Sequence, residues 1–344
     1  MYPFQEGSFA VRNGWYVAAF SNEVGRELLP RTILNEPVVL YRKEDGEAVA
    51  VGGRCPHRHF PLGASCLEGD SIRCGYHGIA FGPNGDCIDI PSQETVRRNI
   101  RIPSYPLVEH GLWLWIWMGD REKVNTSLLP DLNEIGLTVE GMIARPFYAQ
   151  EVNGRYQLLN DNLLDLTHLG YLHSSSIGTP ENASTPEEIT TKPGFLSSRR
   201  YIKNADAPPV MAHMGHNVDK IDRVVGMDFY LPGFHAGIGD QCYPEDHPEK
   251  PGEVISKARV YHAVTPSTYK SCLYFFAMAS PDEKGLDGMY EYLKPVIEED
   301  KFATEEIEKM LALTGGVPQD LLIKSDRNAA EGRRMLQEMM DAEA

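Results

Sequence analysis

The chain has 344 residues, 42% hydrophobic and 24% charged, an ordinary globular composition with length enough for two domains. Its formal charge of -16 excludes a general nucleic-acid partner, since phosphate binding needs a surplus of Lys and Arg. No apolar run is long enough to cross a bilayer, and Met1 to Glu6 has neither the basic start nor the apolar core of a signal peptide, so a cytoplasmic protein with no membrane partner is expected.

The first third reads as β structure. Pro37-Val38-Val39-Leu40-Tyr41 and Ala48-Val49-Ala50-Val51 are short β-prone runs around the turn signal Glu44-Asp45-Gly46. The six cysteines are Cys55, Cys66, Cys74, Cys87, Cys242 and Cys272; without a secretory signal they are expected to be thiols or metal ligands. Four of them lie between 55 and 87. There, Cys55-Pro56-His57 and Cys74-Gly75-Tyr76-His77 each pair a cysteine with a histidine, as C-x-H and C-x-x-H. In a Rieske centre two thiolates hold one iron and two imidazoles the other, which raises the reduction potential above that of an all-cysteine ferredoxin. A zinc site of two cysteines and two histidines is the alternative, although zinc fingers usually pair Cys with Cys and His with His. Gly75 and Gly78 permit unusual dihedrals beside the ligands, and Pro56 and Pro61 stiffen the first loop. His59 does not fit as a ligand and reads as loop surface, and Cys66 and Cys87 read as packed thiols. Farther on, strict alternation places Trp113, Trp115 and Trp117 on one face of a strand. The charged run Gly119-Asp120-Arg121-Glu122-Lys123 then sets a domain boundary near residue 120.

Helical periodicity appears around residues 158–172. Asn162, Asp165 and His168 are spaced i, i+3, i+6, close to one helix face. His173 is off that face, so both histidines can bind one metal only if the helix bends or ends between them, with Gly170 the natural place. Two histidines and one carboxylate make the facial triad of non-haem Fe(II) oxygenases, with positions open for O2. The carboxylate has to come from elsewhere. Near the C-terminus, Leu293, Val296, Ile297, Ile307, Met310 and Leu311 form an apolar helical stripe on which Asp300 falls, while Glu298, Glu299, Glu305 and Glu306 lie mostly on other faces. A carboxylate facing a core needs a partner, and a metal qualifies; an Arg partner or a solvent-facing edge are the alternatives. Residues 174–208, rich in Ser, Thr, Pro and Glu, read as a surface loop, and 271–276 as β-prone. His213-x-x-His216 has no third ligand nearby and reads as a surface accident, whereas His235 and His262 lie in β-prone segments.

Cys55-Pro56-His57-Arg58 with Cys74-Gly75-Tyr76-His77-Gly78, and Asn162-x-x-Asp165-x-x-His168 with His173, resemble the Rieske non-haem iron oxygenases, in particular the single-subunit group of vanillate O-demethylase, dicamba monooxygenase and toluenesulfonate methyl-monooxygenase. The likeness runs from Asn13-Gly14-Trp15 onwards and is weakest at 174–250. It implies an α+β protein: an N-terminal all-β Rieske domain over 1–120, then a mixed α+β catalytic domain over 121–344 with an antiparallel sheet and helices of helix-grip, START-like type. It implies a 2Fe–2S cluster on Cys55, His57, Cys74 and His77, and mononuclear Fe(II) on His168, His173 and Asp300. Asn162 and Asp165 become catalytic candidates: family analogy has Asp165 bridging His77 of the next subunit to His168, which implies a head-to-tail homotrimer. His262 matches a position lining the substrate pocket, and His235 is a second substrate candidate. The implied activity is that of a terminal oxygenase using O2 and electrons from NAD(P)H, delivered by a reductase or ferredoxin, to O-demethylate or hydroxylate a small aromatic substrate. An aromatic-ring dioxygenase and a Rieske electron carrier without catalysis are the alternatives.

Overall fold

The computed structural model describes residues 4–5, 7–97, 99–313 and 320–343. The chain divides into two compact units, Arg12–Thr126 with Thr265–Tyr269, and Met1–Val11 with Ser127–Val264 and Lys270–Ala344.

The first unit is all β. Its strands are β1 (Trp15–Phe20), β2 (Leu29–Ile33), β3 (Glu36–Arg42), β4 (Ala48–Gly52), β5 (Cys66–Glu68), β6 (Ser71–Arg73), β7 (Ala80–Phe81), β8 (Cys87–Asp89), β9 (Leu107–His110) and β10 (Trp113–Trp117). They pair in three antiparallel sheets, β1-β10-β9, β2-β3-β4 and β5-β6-β7-β8. The tryptophans of β10 share one face as expected, but Leu114 and Ile116 on the other face are buried too, so the strand is covered on both sides. Two of the buried indole N–H groups find a carbonyl: Trp115 donates to His110 at 3.0 Å and Trp117 to Asp120 at 2.9 Å. A smaller core of Val39, Tyr41, Ile72, Phe81 and their neighbours encloses Cys55 and Cys74.

The second unit is a seven-stranded antiparallel sheet with helices. Its elements are β11 (Ile143–Val152), α1 (Tyr156–Leu164), α2 (Glu181–Ser184), β12 (Glu188–Lys192), β13 (Phe195–Asp206), α3 (Pro209–His213), β14 (Lys220–Tyr230), β15 (Phe234–Cys242), β16 (Val254–Thr268), β17 (Ser271–Ser280), α4 (Glu283–Leu313) and α5 (Arg327–Asp341). The strand order is β11-β17-β16-β15-β14-β13-β12. Helix α4 packs on β11 and β17 and also on α1, which packs on α5 and β14 as well. A two-pronged ion pair fixes the start of α1 to α4: Arg155 Nε and Nη2 meet the two Glu308 carboxylate oxygens at 2.6 and 2.7 Å. No helix among the described residues is long and apolar enough to cross a membrane.

Two sequence expectations need correction. Residues 174–208 are not one loop, because they hold α2, β12 and all of β13. In β13 the inward positions include Ser198 and Arg200, the latter 3.0 Å from the Glu187 carboxylate, and these polar residues hide the strand's two-residue period. The stripe on α4 also departs from its apolar reading, since Ile307 and Met310 are exposed. Below Asp300 the inward face carries Thr304 and Glu308 instead. Both are bonded there, Thr304 Oγ1 to the Asp300 carbonyl at 2.8 Å and Glu308 to Arg155, so hydrophobicity alone misplaces that face.

Candidate metal centres

Two loops of the first unit repeat one backbone pattern. The Cys55 N–H donates to the Phe60 carbonyl at 2.9 Å, and the His59 N–H returns to the Cys55 carbonyl at 2.9 Å. In the second loop Cys74 donates to Ile79 at 2.8 Å and Gly78 returns to Cys74 at 3.0 Å. The fifth residue of each loop is left-handed, with φ 57° at His59 and 74° at Gly78. Each loop sinks its cysteine and lifts its histidine: Cys55 and Cys74 are buried, His57 and His77 exposed. The two imidazole rings lie 4.6 Å apart, and the two thiols are hydrogen-bonding neighbours. Burial, with Cys74 beside it, pushes the Cys55 thiol up, while the N–H groups of His57 and Arg58 pull it down. Neighbouring buried thiols ionise readily only when a cation compensates them. The four side chains pair by kind and, among the described residues, do not gather round one ion as a zinc would require. Thiols inward and imidazoles outward fit a two-iron cluster.

In the second unit the helix expected through residue 172 stops at Leu164. The Asp165 carboxylate accepts from the Thr167 N–H at 2.9 Å and the Thr167 hydroxyl at 2.7 Å, capping a separate 3-10 turn, Leu166–Gly170. The chain bends again at Gly170, where a Cβ would stand 2.8 Å from the Thr179 carbonyl. The two bends bring the rings of His168 and His173 to 5.1 Å. Asp300 comes in from α4, its Oδ1 2.9 Å from His173 Nε2 and 3.6 Å from His168 Nε2. One ligand atom from each of the three lies within 4.8 Å of the others.

The groups around this triad set ligand form and direction. His173 Nδ1 meets Glu299 at 2.7 Å, and His168 Nδ1 is held by the Asp165 carbonyl, which leaves both Nε2 atoms on the Asp300 side. Asn162 Nδ2 donates to Asp300 Oδ1 at 3.1 Å. Burial pushes the Asp300 carboxyl up, but His173, His168 and Asn162 outweigh it and hold it below the usual range. Burial lowers His168 in spite of Asp300, whereas at His173 the two carboxylates overcome burial and raise it. An ionised carboxylate and imidazoles with their outer nitrogens engaged are the donor set of a two-histidine, one-carboxylate iron site, so the residues fit the metal.

A cavity of about 170 Å³ opens beside the triad, its walls largely apolar, with Leu163, Met227, Val260 and Phe276 among them. His262 lies on this wall, its Nδ1 2.6 Å from the Tyr274 hydroxyl, and burial pushes it down to about 4. His235 does not reach the wall. It is fully buried, 2.9 Å from the Asn160 side chain and stacked on Phe229 at 4.3 Å, a core histidine. His213 stacks on Tyr292 at 4.2 Å, and neither it nor His216 joins a metal-competent group among the described residues.

Residues 14–106 match the Rieske 2Fe–2S domain, and residues 152–342 match the vanillate O-demethylase oxygenase C-terminal domain. The chain belongs to the Rieske oxygenases of the vanillate O-demethylase family. It is 34% identical to the iron–sulfur subunit of the toluene-4-sulfonate monooxygenase system of Comamonas testosteroni, over 97% of this chain and 98% of that one. The oxygenase component of dicamba O-demethylase from Stenotrophomonas maltophilia is 30% identical, over 97% and 99% of the two chains. The crystal structure of dicamba monooxygenase bound to 3,6-dichlorosalicylic acid matches with a TM-score of 0.88 and 28% identity, covering 98% and 99%. This Rieske oxygenase is accordingly the terminal component of a multicomponent system, an iron monooxygenase with a 2Fe–2S cluster and a mononuclear iron, supplied with electrons by a reductase and using O2.

Sequence reasoning missed Glu299, which sits next to Asp300 but was assigned to another helix face. The His173 ring spans the two, Nδ1 on Glu299 and Nε2 on Asp300, so neighbouring residues of this oxygenase serve one imidazole. The part of Asp165 that meets His168 within the chain is its carbonyl, its carboxylate being the cap.

Proposed function

We propose that Cys55, His57, Cys74 and His77 hold the cluster, that His168, His173 and Asp300 hold the mononuclear iron, and that the cavity takes a small aromatic substrate, which is O-demethylated or hydroxylated. We keep the boundary between the cluster-bearing and iron-bearing parts near residue 120, at the charged run after β10. The observation that carries the reading is the convergence of His168, His173 and Asp300 at the wall of an apolar cavity.

When bound, the cluster supplies single electrons and the mononuclear iron supplies O2 activation. The protein's part is to hold, orient and exclude. Asn162 and His173 fix the Asp300 carboxylate, and Glu299 fixes His173. Apolar walls keep bulk water from the reacting carbon. Burial keeps the Tyr274 hydroxyl protonated and the His262 ring neutral. Tyr274 therefore donates to His262 Nδ1, which leaves the ring's proton on Nε2 as a donor for substrate. Asp165 of one subunit accepts from the exposed His77 of the partner subunit in a head-to-tail trimer. Support for that bridge is the part-exposed Asp165 carboxylate, whose Oδ2 has, among the described residues, only a long contact of 3.5 Å from Ser325.

The test is formaldehyde release from a panel of methoxylated and methylated aromatic acids, with iron-replete protein, a surrogate reductase and NADH. Hydroxylating a methoxy carbon gives a hemiacetal that collapses to a phenol and formaldehyde, so formaldehyde matched to NADH consumed supports demethylation. Hydroxylated products without formaldehyde support the hydroxylating branch. Absence of product from every compound contradicts the aromatic-substrate reading.

A further inference from the structure

Away from the metal ligands and His262, the polar residues lining the cavity are Arg223, Gln241 and Ser256, among the described residues. Sheet register sets the three in one row: Arg223 on β14 pairs with Gln241 on β15, and Gln241 with Ser256 on β16. Toward the metal end come two apolar rows, Val225–Gly239–Ala258 and Met227–Gly237–Val260, and then His262. The middle strand carries glycine in both rows, and a Cβ at Gly239 would meet nothing within 4 Å. The sheet therefore forms an open trough with histidine at one end and a guanidinium at the other.

Arg223 is 7% exposed. Among the described residues its Nε has no hydrogen-bond partner, and Nη1 and Nη2 reach only the Ile177 carbonyl, at 3.5 and 3.4 Å. Glu181 acts on it from a distance, without forming an ion pair among the described residues. Burial pushes it down to about 10, so it stays cationic at neutral pH. A buried guanidinium with idle donors carries a desolvation cost that an anion in the cavity offsets, and its side-on fork suits two oxygens of one group. Gln241 Oε1 also lacks a partner among the described residues, and a half-turn of that amide replaces the acceptor with an N–H2 donor. At about 170 Å³ the cavity falls below the roughly 300–1,000 Å³ of drug-sized pockets, which suits one ring.

We propose that Arg223 is the specificity-determining residue of this oxygenase, binding the carboxylate or sulfonate of a single-ring aromatic substrate whose opposite end faces His168, His173 and Asp300. The proposal rests on the functional reading above, but equilibrium binding tests it without turnover, so the two fail separately. Calorimetry on the intact holoenzyme at neutral pH would compare 4-methylbenzenesulfonate and 4-methylbenzoate with their neutral counterparts, 4-methylbenzenesulfonamide and 4-methylbenzamide. The wild type should bind at least one anion about ten-fold or more tighter than its amide, the scale of a charged hydrogen bond, and whichever anion is preferred identifies the oxyanion. Arg223→Gln should reduce that ratio to about three-fold or less, the loss falling mainly on the anions, while measurable amide binding shows that the cavity is intact; Arg223→Lys should keep part of it. Equal binding of anions and amides by the wild type, binding of none of the four, or an undiminished ratio in Arg223→Gln would each overturn the proposal. Should Arg223→Gln fail to fold, the wild-type ratio and Arg223→Lys decide: a lysine variant that prefers the amides contradicts it.

Discussion

The candidate cluster ligands lie within residues 55–77, in two loops that repeat the same hydrogen bonds, whereas the triad joins His168 and His173 to Asp300 on a distant helix. The first site is a property of local chain, the second of packing between α1, the turn after it and α4. That difference locates the vulnerabilities of the molecule. Damage to helix packing should reach the mononuclear site and spare the cluster, and loop changes should do the reverse.

The largest effect is expected at the ion pair that ties α1 to α4. Glu308→Gln removes one charge of a buried two-pronged pair and should cost about 3 kcal/mol of stability in the second unit. Chemical denaturation followed by near-UV signals, with the visible cluster spectrum as the comparison, would check it; equal loss of cluster and fold would break the distinction. Acid should act on the same unit. His262 sits at about 4 instead of the ordinary 6.5 because burial favours its neutral form. The unfolded chain then binds more protons between those values, so this residue's contribution is intact above 6.5 and is lost as pH falls toward 4, in all roughly 3 kcal/mol. His262→Gln should flatten that part of the stability–pH curve measured on metal-free protein, and an unchanged slope would remove His262 as its source.

A smaller effect belongs to Glu299. Replacing it with Gln weakens the bond to His173 Nδ1 and should lower mononuclear iron affinity by about 10–100-fold, with cluster iron unchanged. Competition with a chelator would read it, and an unaltered affinity would reduce Glu299 to a surface acid. The smallest lies in the cluster loops. His59 occupies the left-handed position that Gly78 holds in the sister loop, so His59→Gly should raise the melting stability of the first unit by about 1 kcal/mol. A loss of stability instead would mean that the ring makes contacts worth more than the strain.

The same contrast decides what could be read from the residues alone. C-x-H and C-x-x-H carry their geometry in their spacing, and the all-β unit followed by an α+β unit was legible from runs such as 37–41 and 111–117. The second site was half legible. Its histidines stood out, but Asp165 ends the helix by binding Thr167, a competition between side chain and backbone that periodicity does not register. Polar residues on inward faces hid the rest: Thr304 and Glu308 on α4, Ser198 and Arg200 on β13, and Arg223 with Gln241 and Ser256, which become a row only once three strands are in register. His235 and His262 both lie in β-prone segments and pair across β15 and β16; the resemblance sets only His262 at the pocket, and of the two His262 alone reaches the cavity.

The central claim is that the two sites bind iron separately, and iron content with visible and electron paramagnetic resonance spectra of Asp300→Ala tests it most directly. The account predicts that the variant keeps the two irons of the Rieske cluster with an unchanged spectrum and loses the third, with no product formed. Full iron content, or loss of the cluster together with the mononuclear iron, would contradict it.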